Sequence, residues 1–304
     1  MIVFVNREPT WIGGDIIKMR GFEAALSAMG FTIETTHEPK SSPAPDLYHV
    51  FNAPRPWAAF AMRAAREAGR PYVVTTIYFP KSIQTDQDPR TEAILRNAAA
   101  LLVYTDLERD AILADYPRVE GQRFIHVLKG VQPHFSLPKA GSARDVPVMI
   151  VGQVGPRKHQ RAALQACHTV RVLPLVIGEV RDIDYWTTCK RFPHRYLGAM
   201  RQPAIAALLR RTRVLMNTAV FDPGPDVILE AAMSGCQVVC TKETYLRADL
   251  PGVFWCDPQN PDSVAEALEK ALASTSTELY EYVRDNYRWD IHAQRTADLY
   301  RELM

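Results

Sequence analysis

The passage 221–239 carries the strongest chemical signal in the sequence. A turn rich in proline and glycine leads into a predicted helix, which ends at a glycine before an apolar run. Main-chain amides at such a helix start, here around Gly224 and Val227, favour a phosphate. Glu230 lies one to two turns into the helix, where a carboxylate can accept both hydroxyls of a ribose, and Asp222 lies eight positions upstream. The competing interpretation of Glu230 is an ordinary acid on a helix surface.

A second loop combines glycine with positive charge. The predicted strand 148–151 runs into Gly152, and Lys158 and His159 follow shortly afterwards. This places cations beyond the carboxyl end of a strand, where open α/β sheets bind ligands. Lys158 can neutralise a diphosphate there, and His159 is a second candidate phosphate contact. An exposed basic loop is the competing interpretation.

A third loop, near the N-terminus, contains two adjacent glycines. Gly13 and Gly14 follow the first predicted strand and directly open a helix. Flexible backbone amides at a helix N-terminus favour a phosphate, although a Gly-Gly turn is also common loop geometry. The chain has no Gly-x-Gly-x-x-Gly fingerprint and no Walker A sequence, which argues against dinucleotide binding and P-loop chemistry.

The elements that must position these loops alternate between short β-branched runs and longer amphipathic stretches. This alternation predicts an α/β fold built from two Rossmann-like domains facing a cleft, with parallel strands and crossover helices. The predicted strand 72–77 and the predicted helical tail 278–303 belong to this pattern. The segment 133–147 loses periodicity and gathers prolines, which is typical of a linker between domains.

Composition excludes several classes of protein. The chain has 304 residues, 47% of them hydrophobic, and its 36 Lys and Arg against 34 Asp and Glu give a net charge of only +2. Disorder and small disulfide scaffolds are excluded, and no global field attracts polyanions. The five cysteines form no C-x-x-C pair and are expected to be reduced and buried. Without a signal peptide or a long apolar run, we expect a soluble cytoplasmic protein with no transmembrane segment.

These motifs resemble those of the retaining nucleotide-sugar glycosyltransferases of the GT-B fold, the group 1 family that includes sucrose and glycogen synthases and bacterial mannosyltransferases. The resemblance runs nearly end to end. It covers the Gly13-Gly14 loop, the strand that leads to Lys158, and a Glu-seven residues-Glu motif matched by Asp222 and Glu230. The ending 287–290 resembles the family's closing helix, which crosses back to the first domain. The resemblance therefore implies an acceptor-side domain of residues 1–140 with 289–304 and a donor-binding domain of residues 141–288.

The resemblance also implies roles for individual residues. Glu230 would bind the ribose, Lys158 the phosphates, and Asp222 would lie near the transferred sugar. The donor is expected to be a nucleotide diphosphate sugar, UDP- or GDP-linked, and no metal or cofactor is expected. The resemblance thus predicts Asp222 and Lys158 as catalytic residues, and His49 is a third candidate, as a substitute for a histidine of the family. The predicted donor contacts are Gly13, Gly14, Gly152, Lys158, Gly224, Val227 and Glu230.

The sequence departs from the family's pattern at the catalytic positions. The first glutamate of the motif is shortened to Asp222, and Ile77 stands where a cleft histidine is usual. His49 and Tyr78 are the candidates for the missing role. Two alternatives stay open: a non-catalytic relative that binds nucleotide sugars or glycans, and a nucleotide-sugar epimerase of the same shape, which needs two acid/base carboxylates beside the sugar.

Other candidate residues belong to weaker patterns. Two Asp-x-Asp sequences, 86–88 and 182–184, match the pattern that holds a divalent ion in GT-A enzymes, but solvent-exposed acids are the favoured interpretation. Trp11 and Trp57 are candidate platforms for stacking a sugar, with packing as the alternative.

Positive charge is concentrated in one segment. No acidic residue occurs from Tyr185 to Phe221, whereas seven Lys and Arg do. A solvated basic face is one interpretation, and an anionic acceptor such as DNA, a cell-surface polymer or a lipid headgroup is the other. The resemblance implies a retaining, metal-independent hexosyltransferase whose acceptor is a glycan, a polymer or another hydroxyl compound.

Overall fold

A computed structural model describes residues 1–8, 13–41, 43–248 and 250–304. The chain divides into two compact units. Unit 1 comprises residues 1–130 together with 287–304, and unit 2 comprises residues 131–286. Each unit contains one sheet of six parallel strands with flanking helices, so the predicted α/β architecture is confirmed.

The four central strands of the sheet in unit 1 are buried along their whole length. The strands of unit 1 are β1 (Ile2–Val5), β2 (Ile33–Thr36), β3 (Leu47–Phe51), β4 (Tyr72–Thr75), β5 (Ala100–Val103) and β6 (Phe124–His126). Its helices are α1 (Gly14–Ala28), α2 (Pro56–Ala68), α3 (Thr91–Asn97), α4 (Asp106–Asp115) and α11 (Trp289–Leu303). The strand order is β2-β1-β3-β4-β5-β6, and the near-continuous apolar runs reflect a parallel sheet that is covered on both faces.

Unit 2 repeats this architecture with a different connectivity. Its strands are β7 (Val146–Val151), β8 (Pro174–Ile177), β9 (Arg195–Tyr196), β10 (Thr212–Asn217), β11 (Gln237–Thr241) and β12 (Phe254–Cys256). Its helices are α5 (Gln160–Thr169), α6 (Ile183–Cys189), α7 (Gln202–Leu209), α8 (Asp226–Met233), α9 (Pro261–Ala273) and α10 (Glu278–Asn286). The strand order is β12-β11-β10-β7-β8-β9, so β8 and β9 lie on one side of β7 and the later strands lie on the other. In α/β sheets, a ligand crevice opens at such a change of side, at the carboxyl ends of the strands.

The C-terminal helix belongs to unit 1, as the closing-helix resemblance implied. Trp289 begins α11 and packs against Gly21 and Gly130. A Cβ atom on Gly21 would lie 2.1 Å from Trp289, and one on Gly130 would lie 2.4 Å from it. The predicted continuous helix 278–303 is wrong, because the chain leaves helical geometry between α10 and α11. This break lets α10 stay in unit 2 and α11 pack in unit 1.

The predicted linker is a packed part of unit 2. Phe135 is buried, and the carbonyl of His134 accepts a hydrogen bond from Arg210 at 3.1 Å. Arg144 donates to the carbonyls of Thr212 and Ser234. The boundary between the units therefore lies at 130/131 rather than at the expected 140/141.

All five cysteines are buried and unpaired, which confirms the expectation from the sequence. Within the described ranges, no helix is long and apolar enough to cross a membrane.

Candidate active site

In unit 2, the loop after β7 and the loop after β10 are joined by a set of hydrogen bonds. The main-chain amide of Val220 donates to the carbonyl of Arg157 at 2.8 Å, and the hydroxyl of Thr218 donates to the carbonyl of His159 at 2.9 Å. The Arg157 guanidinium in turn donates to the carbonyl of Phe221 at 3.3 Å. Because β7 and β10 are paired in parallel, their carboxyl ends meet and bring the two loops together.

This arrangement brings Lys158 and Asp222 into contact. The ammonium of Lys158 donates to the Asp222 carboxylate, and the two side chains are 23% and 9% exposed. Lys158 passes alongside Gly152, where a Cβ would lie 3.8 Å from the lysine Cδ and Cε atoms. The structure therefore places three of the predicted site residues next to one another at the carboxyl end of the sheet.

Glycine is required at a neighbouring position that the sequence argument missed. Gly178 follows β8 with a φ of 154°, and a Cβ there would lie 1.8 Å from the carbonyl oxygen of Gly152. The amide of Gly152 donates to the carbonyl of Ile177 at 2.9 Å, so the two chains approach closely at this point. A side chain at position 178 would push the Lys158 loop away from the sheet.

Glu230 lies in the second turn of α8 and is largely buried. Its carboxylate accepts a hydrogen bond at 3.1 Å from the side-chain amide of Gln202, at the start of α7. Gly224 and Val227 flank the start of the same helix. Sequence reasoning missed Gln202, because nothing in a local pattern indicates that α7 lies beside α8.

His159 takes a strained backbone conformation at the start of α5. Its φ is 50°, and its Nδ1 atom is buried without a hydrogen-bond partner in the described part of the chain. Burial, assisted by the nearby charge of Arg161, lowers the pKa of this imidazole. His159 is therefore biased toward the neutral form, which weakens it as a cationic phosphate contact.

In unit 1, Gly13 and Gly14 form the start of α1, as predicted. Asp15 in the first turn is held by the Arg7 guanidinium, with a distance of 2.9 Å between Nε and Oδ2. Trp11 lies outside the described residues. The predicted donor contacts are thus divided between the units, with Gly13 and Gly14 in unit 1 and the others in unit 2.

The position of His49 argues against a catalytic role. His49 is fully buried on β3, and its ring nitrogens are hydrogen-bonded to the hydroxyls of Tyr300 and Thr75. Burial lowers the pKa of His49 to about 3, with a smaller contribution from the charge of Lys18. A neutral ring with both nitrogens engaged joins β3 to β4 and α11, and it has no free atom to offer a substrate.

Tyr78, the other candidate for the missing histidine, is also buried. Its hydroxyl donates to Asp115, and burial raises the pKa of the phenol. Ile77, just before it, has a φ of 44°, which is a strained conformation for a β-branched residue. The predicted strand 72–77 therefore ends at Thr75, where the chain makes a tight turn.

Glu108 holds that turn in place and is a residue that the sequence argument missed. Its buried carboxylate accepts hydrogen bonds from the Thr76 hydroxyl at 2.6 Å and from the amides of Tyr78 and Tyr104 at 2.8 Å and 2.6 Å. Burial raises the pKa of Glu108, while these hydrogen bonds and the charge of Lys18 oppose the shift.

Two buried lysines lie close to the ring of Tyr104, whose amide donates to Glu108. The ammonium of Lys18 is 4.0 Å from the centre of the Tyr104 ring, and that of Lys129 is 5.4 Å from it. Both side chains are almost completely buried. In the sequence, Lys18 and Lys129 resemble any other lysine, so only packing reveals that both are buried.

The weaker patterns have structural partners. Asp182 caps α6 by accepting a hydrogen bond from the amide of Tyr185. Asp88 is buried and forms an ion pair with Arg90. The expectation that all these acids are solvent-exposed is therefore wrong for Asp88. The indole of Trp57 donates to the carbonyl of Phe51 at 2.8 Å. Among the described residues, no three His, Cys, Asp or Glu side chains come together as a metal site would require.

No family model matches the chain. Its sequence is 26% identical over 119 residues to an uncharacterized glycosyltransferase from Methanocaldococcus jannaschii, covering 36% of this chain and 30% of that protein. It is 29% identical over 115 residues to a human phosphatidylinositol N-acetylglucosaminyltransferase subunit, covering 35% of this chain and 24% of that protein. The matched segment thus spans less than a third of either relative.

Solved structures match over nearly the whole chain. Sucrose-phosphate synthase from Thermosynechococcus elongatus superposes with a TM-score of 0.82 and 16% identity, covering 99% of this chain and 98% of that one. Anabaena HepE in complex with UDP-glucose superposes with a TM-score of 0.79 and 14% identity, covering 99% of each chain. The chain therefore has the GT-B fold of these glycosyltransferase structures.

Proposed function

We propose that this chain transfers a sugar from a nucleotide diphosphate to a hydroxyl of an acceptor, with retention at the anomeric carbon and without a metal ion. The Lys158–Asp222 contact supports this proposal most directly, because it places a cation and a carboxylate together where an α/β sheet binds ligands. HepE, which shares the fold, forms complexes with UDP and UDP-glucose. A UDP- or GDP-linked donor is the class that we propose here.

In this proposal, charge stabilisation comes from the chain's own groups. Negative charge grows on the β-phosphate as the sugar–oxygen bond breaks and the sugar becomes oxocarbenium-like. Lys158 neutralises that charge, and main-chain amides at the start of α8 bind the diphosphate. Asp222 already accepts a hydrogen bond from Lys158, so the carboxylate fixes the ammonium before the donor arrives.

Glu230 supplies nucleotide recognition in the same proposal. One of its oxygens accepts the Gln202 amide, which fixes the plane of the carboxylate for the two ribose hydroxyls. Gln202 is thus a positioning residue. It holds Glu230 without belonging to the reacting groups.

The test is a thermal-shift panel of UDP-, GDP-, ADP- and TDP-sugars on the wild type and Glu230→Gln. We expect one donor to stabilise the wild type and to bind roughly 10- to 100-fold more weakly to Glu230→Gln, since a hydrogen bond to a charged group contributes about 1.5–3 kcal/mol. Glu266→Gln, an exposed acid on α9, is the matched control and should bind like the wild type.

Turnover is then measured as donor hydrolysis with and without EDTA. We expect that EDTA does not inhibit the release of nucleotide. We also expect that the released sugar, as first detected by NMR, keeps the α or β configuration that it had in the donor. Binding without turnover, even with candidate acceptors present, would support the non-catalytic alternative. Inversion at the anomeric carbon would contradict retention, and failure to bind any donor would refute the proposed function.

A further inference from the structure

The basic segment divides into two groups of cations with different surroundings. Arg210 and Arg213 donate to the carbonyls of His134 and Leu272, and Arg211 forms an ion pair with Asp145. These three arginines hold parts of unit 2 together. The remaining cations lie within twelve consecutive residues, 190–201.

This stretch, which we call the cationic edge, exposes all four of its cations. They make no side-chain hydrogen bond or ion pair with any residue in the described ranges, and they are Lys190, Arg191, Arg195 and Arg201. Apolar side chains occur between them, and Tyr196 and Leu197 are each 39% exposed. The acids nearest in sequence, Asp182 and Asp184, lie at the opposite end of α6.

The cationic edge is held firmly against unit 2. Tyr196 packs on Trp186 with 4.8 Å between ring centres, and its hydroxyl donates to the carbonyl of Gly178. The amide of Leu197 donates to the carbonyl of Val176 at 3.0 Å. Since β9 is the last strand of its sheet, its outer side has no neighbouring strand. The backbone of the cationic edge is therefore already ordered, so little backbone entropy is lost when a partner binds.

Protection of a sheet edge explains only part of this charge. Charged side chains on an edge strand prevent pairing with another chain. However, β9 contains only Arg195 among the four cations, and the other three lie outside the strand. Edge protection therefore leaves Lys190, Arg191 and Arg201 unexplained, and an anionic partner would account for all four cations.

We propose that the cationic edge of unit 2 binds the surface of a bilayer containing anionic lipids. Lys and Arg near such a surface are attracted electrostatically, and exposed aliphatic and aromatic side chains enter the interfacial layer. A nucleic acid or a soluble polyanion would use the cations but would leave Leu197 in water. The combination of charge with Leu197 and Tyr196 therefore favours a lipid surface.

The experiment is co-sedimentation of the full chain with vesicles of phosphatidylcholine, with and without phosphatidylglycerol. We expect binding only to the anionic vesicles, and weaker binding as salt is raised. The combined substitution Arg191→Gln, Arg195→Gln and Arg201→Gln should weaken binding roughly 100-fold, and Leu197→Ser should weaken it roughly fivefold. Thermal unfolding checks that both variants are folded.

The matched control removes three exposed arginines from unit 1, with Arg20→Gln, Arg66→Gln and Arg96→Gln, and it should bind like the wild type. Equal loss in this control would overturn the proposal, because net charge alone would then explain binding. The absence of vesicle binding would also overturn the proposal. So would binding to single-stranded DNA that is as tight as binding to anionic vesicles and that Leu197→Ser does not weaken. Donor binding by the wild type, measured in parallel, tests the proposed function separately, so its failure counts only against that function.

Discussion

The two units have the same six-stranded parallel sheet, but they place ionisable side chains differently at the carboxyl ends of the strands. In unit 1, Glu108, Lys18 and Lys129 are almost completely buried, and Glu108 accepts three hydrogen bonds. In unit 2, Lys158 keeps 23% of its side chain exposed beside the less exposed Asp222. A buried charge needs permanent partners, whereas a partly exposed charge can exchange its partner for a ligand.

The same sheet architecture thus carries a stabilising network around Glu108 in unit 1 and a binding group, Lys158, in unit 2. Glu108 holds the strained turn at Ile77, so its hydrogen bonds are part of the folded state. The contact between Lys158 and Asp222 joins two loops that are already hydrogen-bonded to each other. Removing Glu108 should therefore affect folding, and removing Lys158 should affect chemistry.

The largest expected effect is that of Glu108→Ala on stability. The substitution leaves the buried amides of Tyr78 and Tyr104 without their acceptor, and the Thr76 hydroxyl keeps only the carbonyl of Leu102. It also leaves Lys18 without the nearby negative charge. We expect the free energy of unfolding to fall by about 3–5 kcal/mol. Urea denaturation followed by circular dichroism measures it.

The matched control for that change is Glu269→Ala, an exposed acid on α9, which should shift the free energy of unfolding by less than about 0.5 kcal/mol. A loss below about 1 kcal/mol in Glu108→Ala would show that the buried network does not stabilise unit 1.

The second prediction concerns Lys158→Ala, which should change chemistry far more than stability. Donor hydrolysis should fall roughly 100- to 1000-fold, the cost of removing one group that stabilises developing negative charge. The free energy of unfolding should fall by about 1–3 kcal/mol, less than in Glu108→Ala, because the mostly buried Asp222 loses this cation while the two loops keep their main-chain hydrogen bonds. Lys242→Ala breaks another lysine–aspartate pair in unit 2 and should leave hydrolysis unchanged. If both variants lost activity equally, Lys158 would have no special role.

The smallest expected effect is a pH dependence that arises from His49. Its folded-state pKa is about 3, whereas an unfolded histidine binds its proton near pH 6.5. Between these values the unfolded state binds more protons, so stability falls as pH falls, by up to about 1.4 kcal/mol per pH unit. Urea unfolding at pH 6.5 and pH 5 should show this loss in the wild type and a smaller one in His49→Gln. His37→Gln removes an exposed histidine and should retain the full pH dependence.

Much of the fold could be predicted from local patterns. Apolar periodicity and glycine punctuation indicated the core of most strands and helices, because these signals extend over a few residues. The break between α10 and α11 escaped this reasoning, since both helices have an amphipathic face and only packing assigns them to different units. The segment 133–147 was misread as a linker for a related reason. Its prolines hide the periodicity, while Arg144 and Phe135 fix it to unit 2.

The candidate site divides in the same way. The sequence by itself determined the α/β alternation, the glycine-to-lysine loop and the eight-residue spacing from Asp222 to Glu230, because each depends on neighbours along the chain. Only the tertiary structure decided that Lys158 contacts Asp222 across 64 positions, that Gln202 holds Glu230, and that His49 is sealed inside unit 1. The physical reason is that parallel strand pairing and helix packing bring together side chains far apart in sequence, and burial then decides which of them can meet a ligand.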